Sequence, residues 1–192
     1  MQKKKFPLAL IALGANLPFE GDAPDVTLRR AIKALSEEGL SIRAVSRFYA
    51  TPCFPPGAGP DYVNAALTVD CGQVIDLASI LARLHLIEAR FGRKRLQRWG
   101  MRTLDIDFLA LGDSILPDAA TQNAWRKLAP ETQSQQAPEQ LILPHPRLQD
   151  RAFVLVPLAE IAADWMHPCT GRTVHEMLDD LPQADRDAVK AL

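Results

Sequence analysis

Two aspartates, Asp105 and Asp107, occupy alternate positions of an apolar strand pattern that covers residues 103–111. Successive side chains of a strand point to opposite faces, so we expect the apolar neighbours in the core and both carboxylates on the other face, about 6.6 Å apart. Two carboxylates this close repel each other unless a cation lies between them. Hard oxygen ligands suit Mg²⁺ when it also keeps waters and phosphate oxygens. By itself, the pair could equally be ordinary polar alternation on an exposed strand.

The segment around this strand is basic. Residues 83–107 contain seven basic side chains against three acidic ones, while the whole chain has a net charge of −1. The basic residues are Arg83, Arg90, Arg93, Lys94, Arg95, Arg98 and Arg102. Such a cluster is often only a solvated helix end and loop. Next to the aspartate pair it favours a site for a phosphorylated substrate, in which carboxylates hold a metal, the metal holds phosphate oxygens and arginines neutralise the remaining charge.

Composition and motifs exclude several other classes of site. The chain has neither a G-x-x-x-x-G-K-[ST] nor a G-x-G-x-x-G motif, which excludes those two phosphate-binding loops, and it has no H-E-x-x-H motif. Its three scattered cysteines indicate neither a disulfide framework nor a cysteine zinc site. The near balance of charge excludes a globally basic nucleic-acid coat. The four histidines are dispersed, and only His145 stands out, because flanking prolines restrict its backbone.

Apolar periodicity predicts an α+β fold in the order β-α-β-β-α-β. This is the ferredoxin-like arrangement, with both helices on one face of an antiparallel sheet and the other face open. The predicted strands are 8–13, 40–50, 62–70 and 103–111, the helices are 24–38 and 76–91, and two short C-terminal helices follow at 148–163 and 173–181. Residues 51–60 contain four prolines and two glycines, which predicts an ordered loop.

The length of 192 residues is typical of a single domain, which we expect to span residues 1–192. A polar insertion rich in Gln, Ala and Pro interrupts it at about 112–140, and we predict it to be irregular apart from a helical turn near Trp125. Lysines 3–5 and the apolar run after them imitate a secretion signal, but the run is about eight residues long and begins with a proline, which favours a buried strand. No apolar run reaches the ~18 residues of a membrane span. We therefore expect a cytoplasmic protein.

Four segments resemble the 6-hydroxymethyl-7,8-dihydropterin pyrophosphokinases of folate biosynthesis. The resemblance covers about residues 8–180, and its most specific part is the run R-W-G-M-R-T-L-D-I-D at 98–107. The weaker parts are L-G-A-N-L at 13–17, Y-V-N-A-A at 62–66 and L-P-H-P-R-L-Q-D-R-A-F at 143–153. The resemblance implies an enzyme that transfers pyrophosphate from ATP to the hydroxymethyl group of the pterin and releases AMP.

The resemblance also implies a role for individual residues. Asp105 and Asp107 would bind two Mg²⁺ ions and, with Arg93 and Arg102, form the catalytic group. The ATP site would consist of Glu88, Arg93, Arg95, Trp99, Arg102, His145 and Arg151. The pterin site would consist of Thr51, Pro52, Phe54, Tyr62, Asn64, Trp99 and Phe153, with the heterocycle between the rings of Tyr62 and Phe153. The loops 51–60 and 92–101 would close over the substrates.

Some features depart from the family. His85 and Pro146 replace residues that family members often have near the nucleotide, so the adenine contacts are open. The insertion at 112–140 is long for the family and directly follows the metal strand, so it is either disordered or covers part of the ATP site.

Two other functions remain as alternatives: a non-catalytic ferredoxin-like RNA-binding module and a Mg-dependent phosphohydrolase. For the enzyme we expect two small-molecule substrates, a monomer, and neither nucleic-acid nor membrane partners. The sequence identifies no general base.

Overall fold

The computed structural model describes residues 7–53, 57, 59–71, 76–92, 102–129, 132 and 136–192. Within these ranges the strands are β1 (Leu8–Ala15), β2 (Ser41–Val45), β3 (Tyr49–Thr51), β4 (Tyr62–Asp70), β5 (Asp105–Leu111) and β6 (Lys190–Ala191). The helices are α1 (Pro24–Glu37), α2 (Leu77–Arg90), α3 (Ala119–Arg126), α4 (Ala152–Ala162), α5 (Val174–Asp180) and α6 (Gln183–Asp187), with a 3₁₀ turn at Leu148–Asp150. The predicted α+β, ferredoxin-like order is confirmed.

The strands form one antiparallel sheet in the order β5-β1-β4-β3-β6, and β2 also pairs with β4 beside β3. Its register determines which side chains meet. Gly14 of β1 lies opposite both Asn64 of β4 and Asp105 of β5, and Asn64 in turn lies opposite Tyr49 of β3. Directly paired residues share a face, so these four residues form one row across the sheet.

The first face of the sheet packs against α1 and α2, as predicted. The apolar stripe of α1 is fully buried at Leu28, Ala31 and Leu35, and that of α2 at Leu84 and Ile87. The ends of the helices follow local rules. Pro24 begins α1, Gly39 at a φ of 84° follows its end, and the Asp76 carboxylate accepts the backbone N–H of Ser79 at 3.2 Å to cap α2.

The second face is not open along its whole length, so that expectation was wrong for half of the sheet. Leu10, Ala66 and Leu109 form a second core with α4 and α5. The α4 sequence A-F-V-L-V-P-L-A-E-I-A is apolar almost all round, as expected of a buried helix. The half of this face that contains the row from Tyr49 to Asp105 does not belong to that core.

The sequence prediction also differs from the structure in detail. The single strand predicted at 40–50 is two strands, because Ser46 interrupts it: its hydroxyl accepts the N–H of Ala66 at 2.9 Å, and its own N–H donates to the Ala66 carbonyl at 3.0 Å. The insertion contains the two-turn helix α3 rather than one turn, and Asp118 caps it by accepting the Thr121 N–H at 2.8 Å. The helix α6 and the strand β6 were not predicted.

None of the helices in the described part of the chain is both long and apolar enough to cross a membrane.

Because His167 is buried, we predict that the free energy of unfolding decreases in acid. Burial lowers the pKa of His167 to about 4, and the charge of Arg126 adds to the shift. An unfolded histidine titrates near ~6.5, so between about pH 6.5 and 4 the unfolded state binds a proton that the folded state does not. The free energy of unfolding should fall as pH drops through this interval, by on the order of 3 kcal/mol from this residue.

His167→Asn should reduce that loss, because asparagine does not titrate. Its amide oxygen can still accept the Cys169 N–H, which the imidazole accepts at 3.1 Å. Urea denaturation at pH 7 and pH 4.5 gives the free energy of unfolding at each pH and so measures the loss. His175→Asn, an exposed substitution on α5, is the control and should keep the wild-type pH dependence. If the free energy of unfolding of His167→Asn depended on pH as that of the wild type does, the assignment of the loss to His167 would be contradicted.

Candidate active site

Strand β5 presents its two aspartates on the uncovered half of the second face. Ile106 and Phe108 point into the first core, while the side chains of Asp105 and Asp107 are 17% and 36% exposed. The predicted alternation of the strand is therefore confirmed. Their neighbours on β1 are Gly14, opposite Asp105, and Ala12, opposite Asp107. Both neighbours are small: the amide of Asn64 fills the space beside Gly14, and Ala12 packs against the second core.

Each carboxylate has a guanidinium beside it. Arg102 forms an ion pair with Asp105, and Nη1 of Arg151 lies 3.8 Å from Oδ2 of Asp107. Arg102 precedes β5, whereas Arg151 precedes α4 on the second face. Burial lowers the pKa of Arg151, and the charge of Asp107 opposes that shift. Two arginines thus compensate two acids, and both are placed where they could pass from a carboxylate to a phosphate oxygen.

Asn16 fastens Arg102 in place. Its side chain is 1% exposed, its Oδ1 accepts the backbone N–H of Arg102 at 2.8 Å, and its Nδ2 donates to the carbonyl of Pro60 at 3.1 Å. Its own backbone N–H donates to the Arg102 carbonyl at 3.0 Å. One amide therefore joins the end of β1, the approach to β5 and the loop before β4. Sequence reasoning missed this role, although Asn16 belongs to the L-G-A-N-L segment.

Glu88 of α2 lies beneath β5. It is 2% exposed, and its Oε1 accepts the N–H of Ile106, the residue between the two aspartates, at 2.8 Å. This contact holds β5 from the side opposite the carboxylates. The sequence predicted Glu88 as part of the ATP site, and a direct contact with the nucleotide remains a prediction.

The predicted pterin residues begin two strands away from β5, on β4, along the same row. Asn64 is 5% exposed and its Nδ2 donates to Oγ1 of Thr51 at 2.6 Å, which orients the amide. A Cβ on Gly14 would lie only 3.0 Å from Oδ1 of Asn64, so glycine makes room for that amide. Neighbouring strands are ~4.8 Å apart, which places Asn64 and Asp105 about 10 Å apart across β1.

Aromatic rings are available on both sides of this row. Tyr62 lies opposite Thr51, and burial raises the pKa of its hydroxyl, so it stays protonated at neutral pH. Phe153 on the first turn of α4 is 39% exposed, and the guanidinium carbon of Arg151 lies 5.6 Å from its ring centroid. Pro52, also predicted as a pterin contact, is exposed beside Thr51.

The basic cluster divides into two parts. The two arginines within α2 turn away from the site, because Arg83 donates to the Glu38 carbonyl at 3.0 Å and Arg90 to Oε1 of Glu38 at 3.3 Å. They bind the end of α1, so these two arginines do not contribute to the phosphate site that the basic cluster favours. The predicted site residues Phe54, Arg93, Arg95 and Trp99, like Lys94 and Arg98, lie outside the described residues.

A cavity of about 260 Å³ borders β5 and Arg151, and neither aspartate is among the residues that line it. Its walls include Phe108 of β5 and Ile142, and Arg151 stands at the side of Asp107. His145 also lines it, and burial together with the charges of Arg151 and Arg147 lowers the pKa of this imidazole to about 3. The ring is therefore neutral near pH 7. Its Nδ1 accepts the N–H of Arg147 at 3.1 Å, which assigns the proton to Nε2 as a donor.

The donors present suit a magnesium ion. The described residues include no group of three or more His, Cys, Asp or Glu side chains that could hold a metal. A cation at β5 would thus have the oxygens of Asp105 and Asp107 and would complete its coordination with water and substrate. In phosphate-transfer sites, Mg²⁺ is usually bound by a small number of carboxylates, and exchangeable oxygens of water and substrate complete its coordination.

Solved structures with the same fold include an HPPK-DHPS in complex with substrates, with a TM-score of 0.62 at 13% identity over 91% of this chain. The wild-type HPPK-DHPS of Plasmodium falciparum has a TM-score of 0.61 at 15% identity over 93%. This chain spans 43% and 45% of those two chains. At such identity the likeness shows the fold alone.

Sequence relatives are closer. Proteins named 2-amino-4-hydroxy-6-hydroxymethyldihydropteridine pyrophosphokinase from Synechocystis sp., Haemophilus influenzae and Methylorubrum extorquens are 35%, 37% and 32% identical to this chain. The matches cover 90%, 83% and 95% of this chain and 75%, 84% and 98% of the relatives. The family model of 7,8-dihydro-6-hydroxymethylpterin-pyrophosphokinase (HPPK) matches residues 10–163. The chain belongs to this pyrophosphokinase family.

Proposed function

We propose that this protein transfers pyrophosphate from Mg-ATP to 6-hydroxymethyl-7,8-dihydropterin, giving the pterin diphosphate and AMP in folate biosynthesis. The observation that carries the proposal is the row across the sheet, in which a buried amide for a heterocycle and a carboxylate for a metal stand about 10 Å apart. That separation suits a pterin whose hydroxymethyl group reaches toward metal-bound phosphates. The family membership supports the same reaction.

The proposed phosphate site combines the carboxylates with the arginines. Asp105 and Asp107 would hold Mg²⁺, two ions in our proposal, which supply charge neutralisation along the phosphates when bound. Arg102 and Arg151 would bind phosphate oxygens once their carboxylates face the metal. Arg93 and Arg95 are proposed to add two further phosphate contacts.

The pterin oxygen then attacks the β-phosphorus, and the bond from that phosphorus to the oxygen bridging it to the α-phosphorus breaks. AMP leaves with that oxygen, and the hydroxymethyl proton is released. The residues of this chain contribute by holding the two reactants in line and by placing charge around the phosphates.

The proposed pterin site uses one amide and two rings. Asn64, oriented by Thr51, would donate to and accept from the heterocycle, and Tyr62 and Phe153 would stack on its faces. Pro52, Phe54 and Trp99 complete the proposed pocket. The nucleoside of ATP would enter the cavity that borders β5 and Arg151, where the neutral His145 offers its Nε2 proton as a donor.

Neither alternative function gains support. An RNA-binding sheet would present stacking rings on its central strands, whereas this face is half covered by α4 and α5 and presents Asp105 and Asp107. A phosphohydrolase would need the same metal but no oriented, buried amide such as that of Asn64 for a heterocycle. We further propose a cytoplasmic monomer that acts on these two small molecules without nucleic-acid or membrane partners.

Product analysis tests the reaction. With ATP, Mg²⁺ and the pterin, the wild type should form AMP and pterin diphosphate in equal amounts. Asp107→Ala should lower turnover by roughly a thousandfold or more with folding intact, because the metal-mediated charge stabilisation is lost. Asp113→Ala, an exposed acid just after β5, is the matched control and should be fully active. ADP or free phosphate as product would reject the proposed reaction, and full activity of Asp107→Ala would reject the metal role.

Asn64→Ala tests the pterin pocket. Removing the amide leaves hydrogen bonds of the heterocycle unmade, worth ~1 to 3 kcal/mol, so the pterin dissociation constant should rise about tenfold or more. Titration calorimetry with the pterin and, separately, with an ATP analogue gives both constants. The nucleotide constant should stay unchanged. An unchanged pterin constant would show that the pocket lies elsewhere.

Two substitutions at Glu88 distinguish between two roles of its carboxylate: holding β5 in place and binding the nucleotide directly. Glu88→Gln keeps an oxygen for the Ile106 N–H, so the KM for ATP should change by no more than about twofold. Glu88→Ala leaves that buried N–H without its acceptor and should lower the free energy of unfolding by ~1 to 3 kcal/mol. A large increase in KM for Glu88→Gln at unchanged stability would instead indicate that the carboxylate itself binds the nucleotide.

A further inference from the structure

The insertion helix α3 is attached to the segment that contains His145. Gln122, in the middle of α3, is fully buried, and its Nε2 donates to the carbonyl of Pro144 at 3.1 Å. The backbone N–H of His145 donates to the Leu109 carbonyl of β5 at 2.7 Å. The insertion is thus tied to β5 through this segment, and α3 has a defined position beside the site.

One turn after Gln122, Trp125 lines the cavity that borders β5 and Arg151. Phe108, Ile142 and Pro146 are further apolar walls of this cavity. At its other side are Arg147 and Arg151, of which Arg151 lies 3.8 Å from Asp107. The apolar and aromatic walls of this cavity suit the nucleoside of a nucleotide. The guanidinium groups at its end, of which that of Arg151 lies beside Asp107, suit the phosphates that follow.

We propose that Trp125 is a nucleoside-binding residue contributed by the insertion: its indole packs against the purine base of ATP. This inference rests on the proposed function and adds to it, because it assigns the base to a wall that the 112–140 segment builds. An indole offers a large flat surface, and aromatic stacking on a nucleic-acid base is sequence-tolerant and strong enough to change affinity several-fold or more. The inference predicts that α3 sets affinity for the base of the nucleotide and leaves its phosphates to the arginines.

Titration calorimetry on the full chain with Mg²⁺ and α,β-methylene-ATP tests the inference. Trp125→Leu keeps an apolar side chain on α3 and should raise the dissociation constant about tenfold, whereas Trp125→Phe keeps a ring and should raise it less than threefold. Lys127→Ala, exposed just after the end of α3, is the control and should match the wild type. Binding of the pterin should be the same in all four proteins.

Weaker binding by Trp125→Leu could come from a lost contact with the base or from a distorted site. Inorganic triphosphate distinguishes these causes, because it has phosphates but no base. Trp125→Leu should bind triphosphate as tightly as the wild type. Equal losses for triphosphate and the ATP analogue, or wild-type affinity of Trp125→Leu for the analogue, would overturn the inference. If the wild type binds no ATP analogue at all, the proposed function is rejected and this inference with it. If the wild type and Trp125→Leu bind the analogue equally well, only the inference is rejected.

Discussion

The repulsion between two neighbouring carboxylates is the constraint around which this site is arranged. Asp105 and Asp107 share one face of β5, and the two arginines that compensate them come from different parts of the chain. Glu88 holds the backbone between the two acids from the opposite side of the strand. The two arginines thus compensate the charge of the two acids, and in the proposed function they bind phosphate oxygens when Mg²⁺ takes their place.

The covering of the second sheet face decides where this chemistry takes place. The helices α4 and α5 close part of that face with a second apolar core, and the carboxylates of Asp105 and Asp107 keep exposed surface outside it. The start of α4 borders this exposed surface, so the same helix that covers the sheet also supplies Arg151 and Phe153 to the site. Packing and site geometry are linked here, because a shift of α4 on its core would move Arg151 relative to Asp107 of β5.

The cavity to which we assign the nucleotide depends on the segment after the insertion. His145 is fixed on β5 by its backbone, and its ring is kept neutral by burial and by two neighbouring arginines. A charged imidazole here would add a third cation beside those arginines, whereas the neutral ring offers a hydrogen bond without that repulsion. The insertion supports this segment through Gln122, so a stretch whose composition indicates a loop contains a helix with a position in the site.

The sequence by itself determined what depends on local periodicity: the order of strands and helices, the stripe of α1 and the outward side of Asp105 and Asp107. It also identified the family through short motifs. Tertiary structure alone decided which segment meets which face, including the second core under α4, the pairing of Arg151 with Asp107 across 44 residues, and the amide of Asn16 that joins three segments. The reason is physical: the spacing of apolar residues reports that a face is buried, but any apolar surface of suitable shape can cover it. Hydrogen bonds and ion pairs between distant residues leave no periodic trace along the chain.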